Sequence, residues 1–232
     1  MIEPLVLIPE MMCDVRVFLP QLIAMTPGRA VMVAPITRAE RIEDIAKNLL
    51  HQLPERFALA GLSMGGVVAL EVLRRVPERV SRICLMSTNP LAETPAAAAM
   101  REPMIIGAAA GRLDDVMRET MPLEHLASGP ERLNVLNLVY EMARDLGPDV
   151  FVAQSRALQR RPDQQGTLRR CKVPALVLCG EQDILTPPKR HEFMANLIPN
   201  ATLAILPGAG HLPTLEQPEL TTEALQNWLT DD

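Results

Sequence analysis

Ala58-Leu59-Ala60-Gly61-Leu62-Ser63-Met64-Gly65-Gly66-Val67-Val68 is the stretch on which the reading of this chain turns. Phe57 to Ala60 is a short apolar run of strand character, and Val67 to Arg75 is a helical run. Gly61-Leu62-Ser63-Met64-Gly65 interrupts both. A serine in a tight strand-to-helix turn, spaced Gly-x-Ser-x-Gly, fits a nucleophile elbow. Such a turn holds the serine in a strained backbone conformation. Its flanking positions have room only for hydrogen. The Ser63 hydroxyl would then stand at a helix N-terminus, where free N–H groups favour developing negative charge. A plainer reading fits the same residues: a glycine-rich turn with Ser63 as the helix N-cap. The rest of the chain has to decide between the two.

Composition narrows the field. The chain has 232 residues, 48% hydrophobic and 22% charged, which suits one globular unit with a large core and room for an inserted subdomain. A net charge of −5 gives no electrostatic reason to bind nucleic acid or an anionic membrane. No apolar run approaches the length of a membrane span. Met1-Ile2-Glu3-Pro4 lacks the basic start of a secretory signal, so a cytoplasmic location is expected. Cys13, Cys84, Cys171 and Cys179 have no metal-ligand spacing and are read as small buried hydrophobes in a reducing compartment. No metal or cofactor is implied. Aromatics make up only 3%, whereas methionine occurs 13 times, which is compatible with a pliable apolar pocket as well as with core filling.

Outward from the turn, short apolar runs alternate with helical patterns. Pro4 to Pro9 and Ala30 to Ala34 precede the elbow strand. Val80 to Ser87, Pro174 to Cys179 and Ala201 to Leu206 follow it. Most lack polar alternation, as expected of strands buried on both faces of a parallel sheet. Helical spacing covers Asp14 to about Met25, Glu40 to Leu53, Pro188 to about Leu197, and Glu216 to Leu229. Between residues 90 and 170 the rhythm changes to an alanine-rich helical stretch without a convincing strand: Ala96 to Ala110, Leu113 to Met121, Glu131 to Leu146 and Pro148 to Gln159. The expected fold class is α/β, a mostly parallel, doubly wound sheet of about six strands flanked by helices. Residues 1–89 and 171–232 form its core, and 90–170 an inserted helical cap.

Three chemically capable residues fall at equivalent places. Ser63, Asp183 and His211 each follow the C-terminal end of an expected parallel strand, where the ligand crevice of an open α/β sheet lies. Their order along the chain, Ser then Asp then His, is that of α/β-hydrolases. The sequence resembles that superfamily over essentially its whole length. The resemblance rests on Gly61-Leu62-Ser63-Met64-Gly65-Gly66, on Gly180-Glu181-Gln182-Asp183-Ile184-Leu185-Thr186-Pro187-Pro188, and on Gly208-Ala209-Gly210-His211-Leu212-Pro213 with Leu215-Glu216-Gln217-Pro218 after it. The helical stretch sits where the family carries its cap.

A serine hydroxyl needs a base during attack. Imidazole, with an ordinary pKa near ~6.5, can take that proton and return it to a leaving group. A carboxylate on the other ring nitrogen fixes the tautomer. Ser63 is thus the expected nucleophile, His211 the base, and Asp183 the orienting acid. Glu181, His51, His125 and His191 are expected on the surface. Family resemblance implies an oxyanion hole from the backbone N–H groups of Met64 and Met11. Many relatives carry His-Gly where this chain has Pro9-Glu10, and the Glu10 carboxylate is expected to point away from the oxyanion. Met12 and Leu212 are candidate pocket residues.

The expected activity is hydrolysis of a small or medium carboxylic ester, thioester or lactone with an apolar acyl group, through an acyl-enzyme. A carbon–carbon bond hydrolase of diketone-like ring-cleavage products would use the same triad. A ligand-binding receptor on the same fold is a reading of another class. Ser63 excludes the aspartate-nucleophile mechanism of the dehalogenases and epoxide hydrolases of this fold. Neither the substrate nor the oligomeric state can be read from the sequence.

Overall fold

In the computed structural model, which describes residues 2–230, the apolar runs become six strands. They are β1 (Leu5–Ile8), β2 (Val31–Val33), β3 (Phe57–Leu62), β4 (Val80–Met86), β5 (Ala175–Gly180) and β6 (Ala201–Leu206). The sheet order is β2-β1-β3-β4-β5-β6, and every neighbouring pair is parallel. Every residue of β1, β3 and β5 is buried, as the absence of polar alternation predicts for inner strands covered on both faces. The edge strands β2 and β6 are only partly buried. Inner-strand side chains such as Leu59 and Phe57 lose all solvent contact, and each such burial stabilises the fold by about 1.5–3 kcal/mol.

Register places the ends of the strands together. Ile8 pairs with Gly61, Leu62 with Met86, and Gly180 with Leu206. The loops that leave β1, β3, β5 and β6 therefore emerge at one edge of the sheet, which brings their residues within reach of each other.

The helices mostly follow the apolar periodicity. α1 (Leu19–Met25) is shorter than the single helix expected from Asp14. A 3-10 turn, Val15–Phe18, precedes it, and Asp14 caps that turn through Arg16 N–H at 2.9 Å. Pro20 is the reason for the break: it lacks an N–H and suits a first helical turn rather than an interior. α2 (Ile42–Leu50) follows β2, and α3 (Met64–Arg75) begins directly after Ser63.

Between β4 and β5 lie α4 (Pro95–Ala109), α5 (Leu113–Thr120), α6 (Arg132–Leu146), α7 (Pro148–Gln159) and the short α8 (Gln165–Arg169). The sequence pattern does not mark α8. α9 (Pro188–Leu197) separates the last two strands, and α10 (Pro213–Glu216) with α11 (Pro218–Thr230) ends the described chain. One final helix was expected; Pro218 opens α11 and divides it from α10.

The segment returning from α7 is tied to α3 and to the chain beyond β4 by buried polar contacts. Gln164 N–H donates to Pro90 O at 2.7 Å, and Gln164 Nε2 to Glu71 Oε2 of α3 at 2.9 Å. Glu71 is itself fully buried, and Arg74 and Arg75 each reach it at 2.7 Å. A buried carboxylate persists only with such partners.

Candidate active site

Ser63 occupies the turn between β3 and α3 with φ +50° and ψ −110°, a region that side chains rarely adopt. Closely packed backbone holds it there. A side chain at Gly61 would overlap the Gly65 carbonyl oxygen, and one at Gly65 the carbonyl of Ile8 in β1. Ser63 N–H donates to Met86 O at 2.8 Å, and Thr88 Oγ1 donates to Ser63 O at 2.6 Å. The Ser63 side chain makes no capping bond to α3, so the plain N-cap reading does not hold. Its Oγ lies instead 3.1 Å from His211 Nε2.

The other two residues complete a line. His211 Nδ1 is 3.0 Å from Asp183 Oδ2. Asp183, in the loop after β5, accepts Leu185 N–H at 3.0 Å and Thr186 N–H at 2.8 Å on Oδ1, and Thr186 Oγ1 at 2.7 Å on Oδ2. Burial alone would raise the Asp183 carboxyl, but His211 and the Thr186 donors outweigh it and hold it below its ordinary value. The loop bearing His211, after β6, is closed by Glu216. Its Oε1 accepts Leu212 N–H at 2.7 Å, and its Oε2 accepts Gly210 N–H at 3.0 Å and Ala127 N–H at 2.6 Å. His211 N–H donates to His125 O at 2.8 Å.

Glu10 corrects an expectation. Its carboxylate does not turn away: it is buried, with Oε2 3.2 Å from His211 Nε2. Leaving β1 at the common sheet edge, the side chain meets a ring nitrogen that can offer it a charged hydrogen bond, the strongest partner within a buried site. Burial disfavours the imidazolium, but the charge and hydrogen bond of Asp183, followed by those of Glu10, prevail and lift the His211 pKa to about 10.

Four further placements differ from expectation or lay outside it. Leu212 is not among the residues lining the cavity beside Ser63; as an apolar side chain it packs fully buried in the core, while its N–H is held by Glu216. His191, expected on the surface, is buried on α9, and its Nε2 accepts Thr88 N–H at 3.0 Å. Burial pushes its pKa down to about 4, so the ring is neutral and its other nitrogen donates to Pro187 O at 3.3 Å. His191 thereby fixes the strand end whose Thr88 hydroxyl holds Ser63. His125, also expected on the surface, lines the cavity, and burial together with His211 lowers its pKa. Gln154 of α7 has no marker in the sequence: its Oε1 accepts Met12 N–H at 2.9 Å, and its Nε2 donates to Ile36 O at 3.2 Å. It steadies the loop after β1, where Met12 has φ +56°. Nothing in a glutamine on a helix announces such a role.

Ser63 opens into a cavity of about 500 Å³. Met11, Met12 and Met64 line it from the sheet side, and Met100, Met104, Met117 and Met121 from α4, α5 and the turn beyond. Met64 opens α3, so its N–H is one of the first-turn donors without an intrahelical acceptor. His51 is exposed, as expected, and so is Glu181. The four cysteines are free and buried, and among the described residues no cluster of His, Cys, Asp or Glu could hold a metal ion. No helix among them is long and apolar enough to cross a membrane.

A parallel α/β sheet with Ser63, His211 and Asp183 joined at its C-terminal edge defines the class of an α/β hydrolase. The family model described as "Alpha/beta hydrolase family" matches residues 6–224, and the chain belongs to that family of enzymes. A curated relative, the pimeloyl-[acyl-carrier protein] methyl ester esterase of Aromatoleum aromaticum, is 30% identical over 194 residues, covering 78% of this chain and 77% of its own. Among solved structures, a thermophilic esterase from Thermogutta terrifontis with malate bound superposes with a TM-score of 0.88 at 26% identity, covering 98% of this chain and 89% of that one. An enol-lactonase from Burkholderia xenovorans has the same fold, with a TM-score of 0.88 at 20% identity over 99% of this chain and 92% of that one.

Proposed function

We propose that this protein is a serine hydrolase that cleaves a small or medium carboxylic ester, thioester or lactone through an acyl-enzyme on Ser63. One observation carries the reading: an unbroken line from Asp183 Oδ2 to His211 Nδ1 at 3.0 Å, and from His211 Nε2 to Ser63 Oγ at 3.1 Å, at the wall of a methionine-rich cavity. The ester-cleaving relatives support it.

In this reading neutral His211 takes the Ser63 proton as Oγ attacks the acyl carbon. The oxyanion so formed is stabilised by the Met64 and Met11 N–H groups, each such donor contributing about 2.7–4 kcal/mol. His211 returns the proton to the departing alcohol or thiol, or to the ring oxygen of a lactone. Water, deprotonated by His211, then attacks the acyl-enzyme, and the acid leaves with Ser63 restored. Asp183 keeps the imidazole in the right tautomer and supports its charge. Helices α4 to α8, residues 90–170, act as the cap that closes the acyl pocket. Met12 belongs to that pocket; Leu212 does not.

The cavity lining contains no Phe, Tyr or Trp, which favours an aliphatic acyl group over the diketone-like ring-cleavage products of a carbon–carbon hydrolase. Ser63→Ala is expected to abolish turnover of short p-nitrophenyl esters while leaving the circular dichroism spectrum and Tm unchanged. Full activity in that variant would remove the assignment.

A further inference from the structure

The cavity also contains charge for which the ester chemistry has no use. Glu93, Arg101 and Arg161 all contribute to its lining. Arg101 Nε and Nη2 each lie 3.1 Å from Glu93 Oε2, and Arg161 Nη2 lies 3.5 Å from Glu93 Oε1. The side chains are largely withdrawn from solvent: 8% exposed for Glu93, 12% for Arg161 and 20% for Arg101. Two guanidinium charges therefore share one carboxylate, and both of its oxygens are already engaged.

Arg161 is the less satisfied of the two. Its ion pair is long, and its Nε is buried with no acceptor among the described residues. Burial lowers its pKa; Glu93 opposes this, while Arg101 and Arg190 add to it. An excess positive charge in a partly dehydrated wall is costly unless an anion meets it. The other carboxylates of the cavity do not supply one: Glu10 is bound to His211, and Glu119 is exposed on α5. Glu93 follows β4, which flanks β3 on the side away from β1. Glu93 and Glu10 thus follow strands on opposite sides of β3, the strand that ends at Ser63. Met100 and Met104 lie on α4 beside Arg101, so apolar lining adjoins the charge.

We propose that Arg161 and Arg101 form an anion-recognition subsite in the Ser63 cavity, and that the preferred substrate is an ester whose acyl chain ends in a free carboxylate, a dicarboxylic acid half-ester. The planar guanidinium fork matches a carboxylate in two parallel hydrogen bonds. The methionine side chains pack along the methylenes between the two ends. This inference rests on the esterase reading and names its substrate class.

The test compares monoethyl glutarate, adipate and suberate with ethyl esters of unbranched monocarboxylic acids of the same acyl chain length, at neutral pH. Wild-type protein is expected to favour the best half-ester in kcat/KM by ~10-fold or more, the worth of a charge-assisted hydrogen bond. Arg161→Gln is expected to collapse that preference ratio by a similar factor, mainly through KM. Free adipate should compete with a neutral ester in the wild type, and butyrate should compete far less; this arm needs no variant to fold. Neutral esters preferred or equal in the wild type, or a ratio unchanged in a folded Arg161→Gln protein, would overturn the subsite and leave the esterase reading standing. No turnover of either series, with no labelling of Ser63 by a phosphonate, would take down both.

Discussion

Glu10 Oε2 lies 3.2 Å from His211 Nε2, the same nitrogen that lies 3.1 Å from Ser63 Oγ. With Asp183 on Nδ1, both ring nitrogens face a carboxylate. A neutral imidazole would turn its Nε2 lone pair towards Glu10, which is repulsive. The geometry therefore fits an imidazolium that donates once to each acid. In the proposed mechanism, attack by Ser63 requires that Nε2 proton to be absent, so the Glu10 contact would favour the protonated resting form. Removing its charge should make the base available at lower pH. Glu10→Gln is expected to raise kcat/KM for p-nitrophenyl esters at pH 7 by roughly tenfold and to move the rising limb of the pH profile down by about one unit or more. An unmoved limb, or loss of activity in a folded variant, would count against this role.

The same contacts fix how stability depends on pH. His211 has its pKa raised to about 10 in the folded chain. Its contribution is therefore fully present below the ordinary imidazole value near ~6.5 and is lost as pH rises through about 10. The Asp183 carboxyl is lowered, so its contribution is present above the ordinary carboxylate range and is lost as pH falls below it. Urea midpoints should decline on both sides, and His211→Gln should flatten the alkaline decline. An alkaline decline of equal steepness in that variant would place its origin elsewhere.

Gln154 is fully buried and carries the Met12 N–H on its side-chain carbonyl. Gln154→Leu keeps the volume but leaves that N–H and the Ile36 carbonyl without their partner. Each unsatisfied buried group costs about 1–3 kcal/mol, so a clear fall in Tm is expected. Because Met12 adjoins Met11, kcat should drop more than KM rises. A variant with wild-type Tm and kcat would show that the loop holds itself.

What could be read from the sequence was what local chemistry dictates. Gly61 and Gly65 have no room for a side chain, and that crowding marks Ser63 as the sharp point of the turn. Asp183 and His211 each leave an apolar strand through a glycine-bearing loop, so their shared edge follows from strand order alone. The contacts that eluded the sequence join residues far apart along the chain. Glu10 meets His211 only because β1 and β6 end at the same edge, and its carboxylate turns inward to a charged partner. Gln154 and His191 look like ordinary helical polar residues until the backbone N–H groups they receive are seen. Leu212 follows His211 directly, yet its apolar side chain packs into the core rather than the cavity. Pro20 and Pro218 had already given the reason for the two helix breaks, but the apolar spacing across them was continuous enough to hide it.

The central claim is that Ser63 is the nucleophile, and covalent trapping tests it most directly. The protein is incubated with a p-nitrophenyl alkylphosphonate, then weighed intact and mapped by peptide mass spectrometry. One phosphonyl group per chain on the peptide containing Ser63, appearing in step with loss of esterase activity and absent from Ser63→Ala, is the predicted result. Full inactivation with the label on another residue, or esterase activity that survives stoichiometric labelling of Ser63, would contradict it.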